Sequence, residues 1–94
     1  MAQNTTISVP ASTWTQLTDA DVTNITFQNV SSNHVLIKGT TDDTAPTSKD
    51  GAVRYNPGQG ERNVAMTDLF PGISGADRLF AWAEDNAVVM VSHA

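Results

Sequence analysis

The feature that most constrains this chain is its last stretch, where two short segments are apolar on both sides. In Arg78 to Glu84, Leu79, Ala81 and Ala83 alternate with Phe80 and Trp82. After a turn at Asp85-Asn86, the segment Ala87 to His93 opposes Val88 and Met90 to Val89 and Val91. Period-two spacing on both sides of a turn reads as a strand pair. An antiparallel sheet with one wet face should alternate apolar with polar residues, so two apolar faces require two covers. In a lone two-sheet sandwich the second sheet supplies only one of them. The other is expected to meet a neighbouring subunit, with Phe70, Phe80, Trp82, Val89 and Val91 as interface candidates. The alternative is that the loop from Leu69 to Gly75 overlays the pair, with Phe70 as its plug.

The rest of the chain has the same period. No window of helical length carries apolar residues at i, i+3, i+4 and i+7. Thr5 to Val9 alternates and stops at Pro10, and Trp14 to Leu17 forms a second extended piece. Val22 to Val30 places Thr23, Ile25 and Phe27 on one face and Asn24, Thr26 and Gln28 on the other. Ser31-Ser32-Asn33 turns the chain into His34 to Thr40, with Val35 and Ile37 facing in. Thr40 to Gly51 holds no large apolar residue and reads as an exposed loop. Ala52 to Tyr55 and Arg62 to Asp68 are further strands, and Leu69 to Gly72 has room for one helical turn. These spacings predict an all-β fold: a single small antiparallel β-sandwich or jelly-roll-like domain of about seven or eight short strands. The domain spans residues 1–94, and 1–9 forms an extended N-terminal arm.

Charge narrows the partners. Five basic residues stand against ten acidic ones, a net charge of -5. Lys38, Lys49, Arg54, Arg62 and Arg78 are scattered, whereas a nucleic-acid binder gathers its cations on one face. Nucleic acid is therefore not expected as a partner, and neither is an anionic membrane surface. No segment approaches the roughly 20 apolar residues of a membrane span. Met1 to Thr6 lacks the basic start and apolar run of a signal peptide, which points to synthesis in a cytoplasm. The chain has no cysteine, which excludes disulfides and thiolate metal sites. Subunit association is then one of the usual ways for a small domain to gain stability. Sequons at Asn4, Asn24 and Asn29 are expected by chance in a chain this rich in Thr, Ser and Asn.

No catalytic constellation emerges. His34 opens a strand and His93 closes one, so both are expected at edges or on the surface, and no nucleophile motif accompanies them. Asp42, Asp43 and Asp50 lack the spacing of a calcium loop. Gly58-Gln59-Gly60 has neither the third glycine of a dinucleotide fingerprint nor a Walker lysine, and reads as a chain reversal. Trp14, Tyr55 and Trp82 offer aromatic faces that stack on sugars, but each lies in an alternating strand where core packing is commoner. The expectation is a binding protein, not an enzyme, without metal or cofactor.

The order of features carries a resemblance. Thr13 to Leu17 (TWTQL) leads to Asn29 to Lys38 (NVSSNHVLIK), then Ala45-Pro46, then a G-x-x-x-Y-x-P-G segment from Gly51 to Gly58. Arg78 to Ala83 (RLFAWA) and Val88 to Ser92 (VVMVS) close the chain. The series resembles the small β-structured capsid decoration, or cement, proteins of tailed bacteriophages. That resemblance implies a homo-oligomer, a trimer, bound to the major capsid protein on the outer surface of a virion head and stabilising it. In this setting Gln3, Asn4, Thr5, Thr6 and Ile7 are the capsid-contact candidates, as an arm that adds a strand to a capsid sheet edge. Similar small domains sit on phage tails and fibres, so a receptor- or glycan-binding module is the alternative.

Overall fold

The computed structural model describes residues 2–94. Met1, the first residue of the expected arm, lies outside them. Eight strands and one helical turn follow in chain order: β1 (Gln3–Val9), β2 (Thr15–Gln16), β3 (Asn24–Asn29), β4 (Val35–Thr40), β5 (Val53–Tyr55), β6 (Gly60–Ala65), α1 (Met66–Leu69), β7 (Arg78–Trp82) and β8 (Ala87–His93). They form two four-stranded sheets, one in the order β1-β8-β3-β6 and the other in the order β2-β7-β4-β5. All neighbouring strands are antiparallel. The chain crosses between sheets at every connection except β4 to β5. This is the connectivity of an eight-stranded jelly roll.

The crossings overturn the hairpin expected from Arg78 to His93. β7 pairs with β4 and β2, whereas β8 pairs with β1 and β3 in the opposite sheet. The turn at Asp85-Asn86 is an arch between layers, and so is the turn that joins β3 to β4. Each strand therefore gives one face to the shared core. Leu79, Ala81, Ala83, Ala87, Val89 and Val91 all point inward and are buried. Val9, Ile25, Phe27, Val35, Ile37 and Tyr55 complete the same cluster. Burying one such side chain is worth roughly 1.5–3 kcal/mol, which makes this inter-sheet layer the main source of stability.

The interface candidates are reassigned accordingly. Val89 and Val91 are 0% exposed within the single chain and belong to its core. Phe70 is buried too, and it packs on the inner face of β4, where a Cβ on Gly39 would stand 2.8 Å from its ring. It plugs the opening between the sheets, not an outer face. The helical turn that precedes it lies three residues earlier than expected, at Met66–Leu69.

Phe80 and Trp82 do face outward, opposite Lys38 and Leu36. Their cover comes from the chain itself. The β4–β5 loop folds back across them: Lys38 Nζ donates to the Ser48 carbonyl at 3.2 Å, and Lys49 Nζ stands 3.7 Å from the centre of the Trp82 ring. Phe80 is buried outside the inter-sheet core, and Trp82 is half-buried. No second subunit is required to explain either. The segment expected to be a free loop, Thr40 to Gly51, keeps an exposed surface but holds this face.

The N-terminal arm is corrected as well. Gln3 to Val9 pairs in unbroken register with His93 to Ala87 and is an integral edge strand. Two glycines are fixed by close approach. A Cβ on Gly60 would fall on the Phe27 carbonyl oxygen, so β6 meets β3 there only through glycine.

Candidate functional site

The two sheets differ in what lies outside them. The β4–β5 loop lies over part of the outer face of the β2-β7-β4-β5 sheet, at Lys38 and Trp82. The outer face of the β1-β8-β3-β6 sheet is polar with a half-buried apolar stripe. Cross-strand register defines it: Asn4, Thr6 and Ser8 on β1 stand opposite Ser92, Met90 and Val88 on β8, and Thr26 and Gln28 on β3 stand opposite Ser92 and Met90. Val88 and Met90 are half-buried along the middle of a field of Thr, Ser, Asn and Gln, and no strand residue of β1, β3 or β8 is an Asp, Glu, Lys or Arg. Two shallow depressions mark the face. One of about 470 Å³ lies between Thr26, Gln28, Met90, Arg62 and the glycines of the β5–β6 turn. Another of about 640 Å³ lies at the end of the sheet, between Asn24, Thr26, Asn63, Ser92 and His93.

This arrangement is an apolar stripe set in a polar field. The sheet offers hydroxyl and amide groups around this stripe, and its desolvation removes no charged side chain of β1, β3 or β8. A protein interface has the same composition, with an apolar centre and a polar rim.

The capsid-contact candidates divide by parity. Asn4 and Thr6 belong to the outer face of this sheet. Gln3, Thr5 and Ile7 stand on the side of β1 that turns toward the core, and Ile7 packs partly against it. Gln3 is a brace: its Nε2 donates to the Leu17 carbonyl at 3.3 Å, and its Oε1 faces His93 Nε2 at 3.3 Å. His93 is therefore not a surface residue. It is buried on the inner face of β8, with Nε2 also 3.4 Å from Asp19 Oδ1 and Nδ1 3.1 Å from the Ala94 carbonyl. Every contact of the ring is an acceptor, an arrangement that ties β1 and the β2–β3 loop to the end of β8. Sequence reasoning missed this clasp because its members are Gln3, Asp19 and His93, far apart in the chain.

The other sequence candidates do not converge. His34 lines a separate shallow depression with Asn56 and Glu84. Tyr55 is in the core, edge-on to Phe27 at 5.0 Å, and Trp82 lies beneath Lys49, so the three aromatics form no common platform. Asp42 Oδ1 accepts the Thr44 amide in a local turn. Among the described residues no group of three or more His, Cys, Asp or Glu is placed to hold a metal ion. No helix of the structure is long and apolar enough to cross a membrane. A second buried polar centre is Asn29, which the sequence marks only as part of a sequon. Its Nδ2 donates to the carbonyls of Asn33 and Tyr55, and its Oδ1 accepts from the amide and hydroxyl of Ser31.

Searches of known family models, curated proteins and solved structures find no significant match to the chain.

Proposed function

We propose that this chain is a non-enzymatic structural protein of a phage virion, a decoration protein that docks on the outer surface of the head and stabilises it. The observation that carries the reading is the asymmetry between the two sheets. The chain's own loop lies over part of one outer face, at Lys38 and Trp82, whereas the other is uncharged on three of its four strands and lined by an apolar stripe. The docking surface is then the outer face of the β1-β8-β3-β6 sheet, with Thr26, Gln28, Val88 and Met90 at its centre and Asn4 and Thr6 toward one edge. The major capsid protein is the proposed occupant, on the strength of the family resemblance in the sequence. The jelly roll itself does not decide the matter, since capsid proteins, lectins and enzymes all use it.

Incubation of the purified protein with undecorated expanded phage heads tests the proposal. Stoichiometric uptake and heads more resistant to heat are expected, and Met90→Glu should abolish uptake while the fold is retained. No uptake by heads, with adsorption to glycans or host cells instead, would transfer the protein to a tail or fibre. Uptake unaltered by Met90→Glu would remove this face from the contact.

A further inference from the structure

We infer that β1 is a self-pairing edge: two copies of this chain join through antiparallel β1–β1 contact centred on Thr6, making one eight-stranded sheet. This inference stands apart from what the outer face of the sheet docks against, and it is measured on the purified chain alone.

The four sheet edges are not equivalent. An exposed edge strand presents unpaired amides and carbonyls, and proteins blunt such edges with short strands, charges, bulges or proline. β2 is two residues long, and β5 is three residues long and carries Arg54. β6 carries Glu61 and Arg62, slips in register against β3 and holds Asn63 at a φ of 46°. β1 has none of these devices. It is seven residues long, pairs with β8 without a bulge, and contains no charged side chain. Indeed, residues 1–18 contain no Asp, Glu, Lys or Arg at all.

Hydrogen-bond parity shows which groups are free. The Val30 amide donates to the Val88 carbonyl, so the backbone groups of Val88, Met90 and Ser92 face β3. Those of Val89 and Val91 therefore face β1, where they meet Ile7 and Thr5. The alternate residues, Asn4, Thr6 and Ser8, point their amides and carbonyls off the sheet, and all three are exposed.

A second copy fits this edge better than any other occupant. A two-fold axis at Thr6 pairs Thr6 with Thr6, and Asn4 with Ser8, in about six hydrogen bonds of a regular antiparallel ladder. On the inner side Ile7 comes opposite Thr5, which further covers an aliphatic side chain only partly buried in the monomer. The chain is acidic, and on this approach neither copy brings a charged side chain on the strand itself. Closure follows too. Once the two β1 strands are joined, the edges that remain are the blunted ones, so the contact ends at a dimer and does not propagate. Antiparallel pairing of a strand with itself has two-fold symmetry, so this contact gives a dimer in place of the trimer implied by the family resemblance.

Sedimentation equilibrium and cysteine cross-linking test the inference. Thr6→Pro removes an amide that β8 does not use, so the fold should survive by circular dichroism. Self-association should fall by about a hundredfold, since two hydrogen bonds at the symmetric centre are lost and their carbonyls orphaned. Thr44→Ala, in the exposed β4–β5 loop away from the edge, should leave association unchanged. The chain has no cysteine of its own. Thr6→Cys should cross-link to itself on oxidation, because directly paired Cα atoms lie about 5.5 Å apart, inside the disulfide range. Ser8→Cys alone should not, whereas a mixture of Ser8→Cys and Asn4→Cys chains should. A parent protein that is monomeric up to its solubility limit, a Thr6→Pro variant that still dimerises, or Ser8→Cys cross-linking as fast as Thr6→Cys would each overturn the inference.

Discussion

Asn29 offers the sharpest test of how the two sheets are held in place. Its side chain is fully buried at the point where β3 leaves one sheet for the other. It spends both amide protons on carbonyls, those of Asn33 at 2.7 Å and Tyr55 at 3.0 Å. Its oxygen receives the Ser31 amide at 3.1 Å and the Ser31 hydroxyl at 2.7 Å. The side chain thus fixes the arch on one side and the end of β5 on the other. Asn29→Ala deletes all four bonds and orphans a buried carbonyl. With a net value of about 1 kcal/mol for each of three bonds, the fourth being replaceable by rotation of the Ser31 hydroxyl, the loss is about 3 kcal/mol. That is a large share of the stability of a domain this small. In thermal unfolding it corresponds to a fall of at least about 12 °C in Tm. Asn29→Asp should cost at least as much at neutral pH, since it turns a carboxylate oxygen toward two carbonyls with no donor between them. Urea denaturation at one fixed protein concentration is the assay, because the self-association proposed above would make apparent stability concentration-dependent. A loss below about 1 kcal/mol for Asn29→Ala would mean that the arch is held by the strands on either side and not by this residue.

Three further outcomes are expected. Burial, followed by the charge and hydrogen bond of Glu61, pushes the Tyr55 hydroxyl up to about 12. The fold thus favours the neutral phenol, so this contribution is complete below the ordinary value near 10.0 and is lost as pH rises through about 12. Tyr55→Phe should flatten the dependence of stability on pH in that window. Lys49→Ala removes the cation above Trp82, worth about 0.5–1 kcal/mol at an exposed site, and should speed amide hydrogen exchange in residues 41–51 without altering that of β8. Gly60→Ala forces a methyl group onto the Phe27 carbonyl and should cost at least about 2 kcal/mol, read as a lowered denaturation midpoint; a neutral substitution would show that β6 can shift away from β3 at no cost.

The strands were legible in the sequence because alternation reports burial directly. Ile25 and Phe27, and Val35 and Ile37, are each spaced by two, and the structure buries all four. Partnership was not legible. A short polar turn such as Ser31 to Asn33 has the same composition whether it closes a hairpin or arches between layers. What distinguishes the two is a tertiary demand, the buried Asn29 side chain that reaches across to β5. The same ambiguity misplaced β8 beside β7. The arm was misread for a related reason: Gln3 to Thr6 is polar, and an edge strand next to a well-covered neighbour needs little apolar content to pair.

The surplus of apolar side chains at the end of the chain is real, but no single strand pair carries it on two faces, because β7 and β8 lie in different sheets. Separated into two sheets, the excess divides into two unequal parts. Phe80 and Trp82 lie under a loop whose own residues gave no sign of it, because the cover is made by a lysine stem, a cation over a ring and a carbonyl. Val88 and Met90 remain half-buried on the outer face of the other sheet. The sequence could reveal that the apolar surface exceeded what a sandwich core uses, but not where the excess lay. Position decides the consequence. Beneath Lys49 the excess stabilises the monomer, and between Thr26, Gln28 and Thr6 it leaves a surface that gains free energy when another molecule excludes water from it. The β1 edge beside that surface carries no charged side chain either, so β1, β8 and β3 form one region without charged strand residues in an otherwise acidic molecule. A mutation that charges the face tests docking, and one that charges the edge tests pairing. The two properties are separable even though they share a strand.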